Sequence, residues 1–148
     1  MPSIQPIIKH IDSFTVTGFT LRTQNSDEFK EETAKIPKLW QRFHSSNPAT
    51  NTTIFGVYSD YESDANGLYS VTAGVINDNH GTKLHTVKVN SGRYLVFQDR
   101  GLMPQAVIAT WMRVWDYFSA ESPYHRCFMT DFEAYNNGNE ISIYIGIK

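Results

Sequence analysis

The chain holds one cysteine, Cys127, in 148 residues, which excludes an internal disulfide. Its charge is nearly balanced: 13 Lys and Arg against 15 Asp and Glu give a formal net charge of −2, with no basic run. Binding to a phosphate backbone draws on such runs, so direct nucleic-acid binding is not expected. No apolar stretch approaches the roughly 20 residues that span a bilayer. The segment from Met1 to Asp12 is broken by Pro2, Pro6, Lys9 and His10 and offers no secretory h-region. These absences predict a soluble, cytoplasmic protein, with Cys127 a buried and inert thiol in a strand. His10, His44, His80, His85 and His125 are scattered without ligand spacing, so no metal is expected. Neither a glycine-rich phosphate loop nor a nucleophile elbow is present, and no cofactor is expected.

What the chain does have is aromatic side chains and repetition. Three Trp, eight Tyr and nine Phe make up 14% of the residues, against 19% charged. Rings in this number supply either core or ligand walls. The length suits one domain of about 100–200 residues with a sizeable core. Asp60-Tyr61-Glu62, a polar turn and Tyr69-Ser70-Val71-Thr72-Ala73-Gly74-Val75 are echoed by Asp131-Phe132-Glu133, a polar turn and Ile141-Ser142-Ile143-Tyr144-Ile145-Gly146-Ile147. A tryptophan-bearing, helix-like segment precedes each block. The repeat halves are residues 12–76 and 85–148, and a pseudo-two-fold molecule follows, with its groove on the axis.

Phe14 to Arg22 reads as a strand. Ser26 starts a helix that runs to about Phe43, with Asp27 and Glu28 in its first turn and Pro37 as a kink. Ile54 to Tyr61 and Tyr69 to Ile76 form a hairpin. Asn77 to Gly81 is the linker. His85 to Val89 and Arg93 to Phe97 are strands, and a helix from Pro104 carries Val107, Ile108, Trp111, Val114, Trp115 and Phe118 on one stripe. Arg126 to Tyr135 and Ile141 to Lys148 close the chain as a hairpin turning at Asn136-Asn137-Gly138-Asn139. The class is α+β: two β-α-β-β units in a mainly antiparallel sheet, helices on one face, groove on the other.

Strand alternation assigns the faces. Ile141, Ile143, Ile145 and Ile147 belong under the helices, as do Val71, Ala73 and Val75. Placing Phe128 and Phe132 with them turns Met129, Asp131, Glu133 and Tyr144 to the other face, with Tyr58, Asp60 and Glu62 alongside. Gly74 and Gly146 leave room there for a close approach to the backbone. A carboxylate among rings suits an amphipathic cation. The same acids also read as solvated strand-end residues, and patterning leaves both readings open.

The order and spacing of Val16-Thr17-Gly18-Phe19, Ile36-Pro37-Lys38-Leu39-Trp40-Gln41-Arg42-Phe43, Tyr58-Ser59-Asp60-Tyr61, Asn90-Ser91-Gly92-Arg93-Tyr94-Leu95-Val96-Phe97, Trp111 with Trp115, and Asp131-Phe132-Glu133-Ala134-Tyr135 resemble the GyrI-like small-molecule-binding superfamily. This is also the effector-binding domain of some AraC- and MerR-type regulators. The likeness covers nearly the whole chain and is greatest to stand-alone members, including integron-cassette proteins that bind cationic drugs. It implies a pocket for lipophilic cations, with a buried glutamate beneath aromatic rings; Glu133 is the matching residue, and binding without catalysis is the expected function. Gly146 departs from relatives that carry proline there. Tyr144, Met129 and Tyr58 are then walls, Glu62 a second acid, and Trp40 and Trp111 either walls or core. Phe132 is core beneath the glutamate. The pocket would serve sequestration, sensing or a transcription regulator, the last being a candidate partner beside a weak homodimer. No helix-turn-helix precedes Phe14. A hydrolase using a groove glutamate as general base is the enzymatic alternative, and a module that protects a topoisomerase is the interaction alternative.

Overall fold

The computed structural model describes residues 6–45, 53–63, 66–76, 85–120, 122–136 and 139–148. The expected linker Asn77 to Gly81, His80, most of the polar loop before Ile54 and the centres of both hairpin turns lie outside these residues. The elements are β1 (Ile7–Ile11), β2 (Phe14–Thr23), α1 (Asn25–Glu28), α2 (Ile36–Ser45), β3 (Ile54–Ser59), β4 (Tyr69–Val75), β5 (His85–Val89), β6 (Gly92–Arg100), α3 (Gln105–Ser119), β7 (Arg126–Asn136) and β8 (Glu140–Ile147).

The eight strands form one sheet in the order β1-β6-β8-β7-β3-β4-β2-β5, and each neighbouring pair is antiparallel. Renumbering β1–β4 as β5–β8 turns this order into its own reverse. The pseudo-two-fold axis therefore passes between β3 and β7, the central strands. Each half lends its first strand to the other: β1 pairs with β6, and β5 pairs with β2. The α+β class and the antiparallel sheet are as the sequence predicts. β1, with most of its residues exposed, is an addition to that expectation.

The predicted first helix is two helices. α1 stops after one turn, and α2 begins at Ile36 with Pro37 in its first turn, where a missing N–H costs nothing. Glu28 holds the break together. Its carboxylate accepts the backbone N–H of Lys35 (2.9 Å) and Ile36 (3.0 Å) and the hydroxyl of Thr23 (2.5 Å). An anion at a helix start also meets the positive end of the helix dipole. α3 carries the expected apolar stripe, but unevenly: Val114 is fully buried, whereas Ile108 is 55% exposed.

Both faces of the sheet are covered. α3 packs on Leu95, Phe97, Ile141, Ile143, Ile145 and Ile147, and α2 packs on Val71, Ala73 and Val75 through Leu39 and Phe43. The isoleucine and valine faces thus lie under the helices, as alternation predicts. On the other face Phe132 joins Phe14, Phe55, Val57 and Tyr94 in a second core, which β5 helps to close by reaching over β3 and β7. Gly18 and Gly74 meet where β2 passes from β4 to β5: a Cβ on Gly74 would stand 2.1 Å from the Thr17 carbonyl. The close approach foreseen at this glycine is made by the protein's own backbone.

The register corrects the assignment of the acids. Directly paired residues share a face, and Glu133 pairs with Ile143 and Gly56, while Asp131 pairs with Ile145 and Tyr58. Glu133, Asp131 and Tyr58 therefore lie on the helix-covered face. Phe132 and Tyr144, paired with each other, lie on the opposite one. The sequence reading equated phenylalanine with the helix-covered core; a second core on the other face makes that inference fail. The acid repeat also breaks down. β3 ends at Ser59, leaving Asp60 at a φ of 50° and Glu62 in the turn, whereas Asp131 and Glu133 sit within β7.

Asp131 is completely buried and its oxygens are fully used. They accept from Arg126 Nη2 (2.7 Å), the Gly146 N–H (2.8 Å) and the Tyr61 hydroxyl. The pair with Arg126 survives desolvation because these hydrogen bonds accompany it. Asp131→Ala should lower the unfolding free energy by about 3–5 kcal/mol, because the Arg126 charge is left buried alone. Urea denaturation measures this, and a loss under about 1 kcal/mol would show that the pair is not holding β7.

Candidate functional site

A cavity of about 1290 Å³ opens between α2 and α3 above the central strands. It is larger than the roughly 300–1000 Å³ of common ligand sites. Its position follows from the duplication: each half sets one longer helix, α2 or α3, against the sheet, and the gap between these two lies over the axis, with the short α1 at its side. The groove expected on the helix-free face is thus on the helix-covered face, since the opposite face is filled by the second core.

Glu133 lies at the cavity floor and is 3% exposed. Its Oε2 accepts the Tyr58 hydroxyl (2.8 Å) and the Trp111 indole N–H (2.6 Å), and its Oε1 accepts the Tyr135 hydroxyl (2.7 Å). The donors come from β3, α3 and β7, so the acid ties both central strands to one helix. All three are neutral, and none of the ion pairs among the described residues involves Glu133. Burial raises its pKa above the ordinary carboxyl value, and the three donors pull it part of the way back. Burial and the Glu133 charge push the Tyr58 and Tyr135 hydroxyls well up, so both remain neutral donors.

Rings surround the carboxylate. Trp111 packs on Tyr58 and Trp40 on Tyr135, each pair tilted or edge-on at 5.2 Å. Gly56 makes the space beneath them. A Cβ there would stand 2.8 Å from Glu133 Oε1 and 2.9 Å from Trp40 Cζ2. Sequence reasoning passed over Gly56, Tyr135 and Arg126. The period-two spacing of Glu133 and Tyr135, which puts both on one face, was the available signal for the tyrosine. Arg126 also lines the cavity, but its charge is committed to Asp131.

Of the residues singled out in the sequence, the cavity brings together Glu133, Tyr58, Trp40 and Trp111. The remaining three lie elsewhere. Tyr144 stacks on Phe132 at 4.3 Å on the far face. Met129 is 57% exposed in the irregular stretch of β7 before Asp131. Glu62 accepts the Leu68 N–H at 3.3 Å in the exposed turn after β3. Among the described residues no group of three or more His, Cys, Asp or Glu is placed to hold a metal ion, and no helix is long and apolar enough to cross a membrane.

A family model described as Cass2, integron-associated effector binding protein, matches residues 7–147. The chain belongs to this Cass2 family. Among solved structures it resembles an integron cassette protein from the mobile metagenome of Vibrio cholerae, at 37% identity and a TM-score of 0.90 over 97% of this chain and 96% of that one. The structure of SAV2435 bound to tetraphenylphosphonium shares the fold at 21% identity and a TM-score of 0.76, over 98% and 94% of the two chains. Among known sequences, YobU of Bacillus subtilis (strain 168), a candidate transcriptional regulator, is 27% identical over an alignment of 158 positions, covering 95% of this chain and 96% of YobU. The GyrI-like resemblance read from the sequence thus has its fold and family.

A carboxyl with a raised native pKa contributes stability that is complete below its unfolded value, about pH 4.3. That contribution is lost as the pH rises through the native pKa. In the ligand-free protein, Glu133→Gln should therefore gain melting temperature relative to wild type as the pH goes from 4 to 8. Thermal melts across that range check it, and a difference that does not vary with pH counts against a desolvated acid.

Proposed function

We propose that the cavity reversibly binds hydrophobic organic cations and carries out no covalent chemistry on them. The carrying observation is the Glu133 carboxylate: buried, beneath aromatic rings, with neutral donors and, among the described residues, no ion pair to a cationic side chain. An isolated charge in such a place costs several kcal/mol. A bound cation offsets that cost, and the rings of Trp40, Tyr58, Trp111 and Tyr135 add area and cation–π attraction. An effector-binding family fits this reading. The non-catalytic part draws support from the donors themselves. They engage both carboxylate oxygens, which favours holding the charge over abstracting a proton from water. Among the described residues the lining presents no serine or cysteine as a nucleophile. Such a pocket suits sequestering or sensing cations, and the likeness to YobU speaks for service to transcriptional regulation, alone or through a regulator partner.

Tetraphenylphosphonium, the cation held by a protein of the same fold, is the probe of choice. Trp40 and Trp111 should report its titration by fluorescence quenching. Glu133→Gln removes the charge and keeps the shape, and it should weaken binding about 10- to 100-fold, the worth of a hydrogen-bonded charge. A neutral tetraphenyl compound of similar size should bind both proteins equally. Equal affinity of the two proteins for the cation would falsify the counter-charge role, and turnover of an ester or epoxide that Glu133→Gln abolishes would replace binding with hydrolysis.

A further inference from the structure

The floor of the cavity accounts for one end only. At its mouth four large apolar side chains stand in water: Phe29 is 69% exposed, Ile108 and Met112 are each 55% exposed, and Trp115 is 37% exposed. All four line the same cavity as Glu133. Single exposed apolar residues are ordinary, but a contiguous set rimming a concave site marks a binding surface.

The set is ordered along α3. Ile108, Met112 and Trp115 recur at helical spacing and share one side of the helix. Trp115 lies one turn beyond Trp111, about 6 Å further along the axis. The two indoles are 6.1 Å apart and inclined by 34°, so they form one continuous wall. Trp111 donates to Glu133 at the inner end of this wall. At the outer end Trp115 meets Phe29 edge-on at 5.8 Å, across the mouth from α3 to the C-terminal end of α1. This wall therefore runs from a buried carboxylate to a water-facing apolar rim; Glu28, next to Phe29, also lines the cavity, with its carboxylate engaged by the Lys35 and Ile36 N–H groups.

We infer that the rim is a second subsite, formed by Phe29, Ile108, Met112 and Trp115, that takes the apolar arm of an amphiphilic cation whose charged head sits at Glu133. This rests on the cation reading above. It narrows the ligand class from compact lipophilic cations to those with a hydrophobic extension. The arm is the occupant because the rim is continuous with the site of the head. Its burial also covers surface that the free protein leaves in water.

The test is an alkyltrimethylammonium series, butyl to dodecyl, each member below its micelle concentration, titrated into wild type and into Phe29→Ala/Trp115→Ala. Wild type should gain affinity by about two- to four-fold per added methylene, as expected for apolar surface leaving water. The double variant should show a flatter dependence on chain length, so that its deficit grows towards the dodecyl ion. Ile108→Ser/Met112→Ser should flatten it independently, and unchanged melting curves keep either result from being a folding defect. Wild-type affinity that ignores chain length, or parallel slopes in wild type and both variants, would overturn the subsite while leaving the cation reading intact. Failure of every member to bind wild type would instead remove the cation reading beneath it. A wild-type dimer in sedimentation that either variant converts to monomer, with unchanged slopes, would assign the rim to a second copy of this chain.

Discussion

Everything in the cavity depends on one costly arrangement, the Glu133 carboxylate withdrawn from water with no ion pair to another described side chain. A folded chain tolerates this only when the lone pairs are satisfied. Two tyrosine hydroxyls and an indole N–H do so, from three different elements. These bonds fix the spacing of β3, β7 and α3 and hold the rings of Tyr58 and Trp111 against the acid. The electrostatic problem and the shape of the site are thus solved by the same side chains. Neutral donors disperse the charge but do not cancel it, and on that uncancelled charge the proposed cation binding rests.

Asp131, two residues away, shows the alternative. It shares the face and the burial, yet Arg126 neutralises it and Gly146 and Tyr61 complete its shell. Burial acts to lower the Arg126 pKa, but the Asp131 charge, Tyr61 and the hydrogen bonds to both together raise it above the ordinary value, so Arg126 stays protonated. Two acids on one strand therefore divide the work. One is an internal ion pair that fixes β7 where its register slips between Arg126 and Asp131. The other is a charge kept available.

The fold was legible because it is written in periodicities. The isoleucines of β8, the valines of β4 and the stripe of α3 each state which side meets a helix. The acid, the two tryptophans and Tyr58 were legible as residue types that suit a cation. Their side of the sheet was not, since it depends on the pairing of β7 with β3 and β8, and alternation within a strand gives two faces without naming them. Phe132 tipped the assignment the wrong way, because a phenylalanine is equally at home in either of two cores. Tyr144 and Met129 were misplaced by the same step, whereas Glu62 was misplaced by an alignment that ignored where β3 ends. Gly56 escaped notice because a vacancy leaves a trace only in three dimensions.

The duplication explains the size of the cavity, and its imperfection explains the chemistry. Two like halves put two helices astride the axis and leave a gap that neither half could enclose by itself. A strictly symmetric gap would carry each feature twice and would double the cost of the buried charge. Instead β7 offers the acid, and β3 offers beside it a glycine, whose missing side chain gives the carboxylate its room. Across the gap α3 donates a hydrogen bond through Trp111, while the Trp40 ring of α2 packs on Tyr135. A repeated scaffold thus supplies the volume, and unlike residues at neighbouring positions on its two central strands supply one buried acid at its floor. The other charged groups of the lining are engaged elsewhere, Arg126 by Asp131 and Glu28 by the backbone N–H groups of Lys35 and Ile36, so the asymmetry of the cavity rests on Glu133.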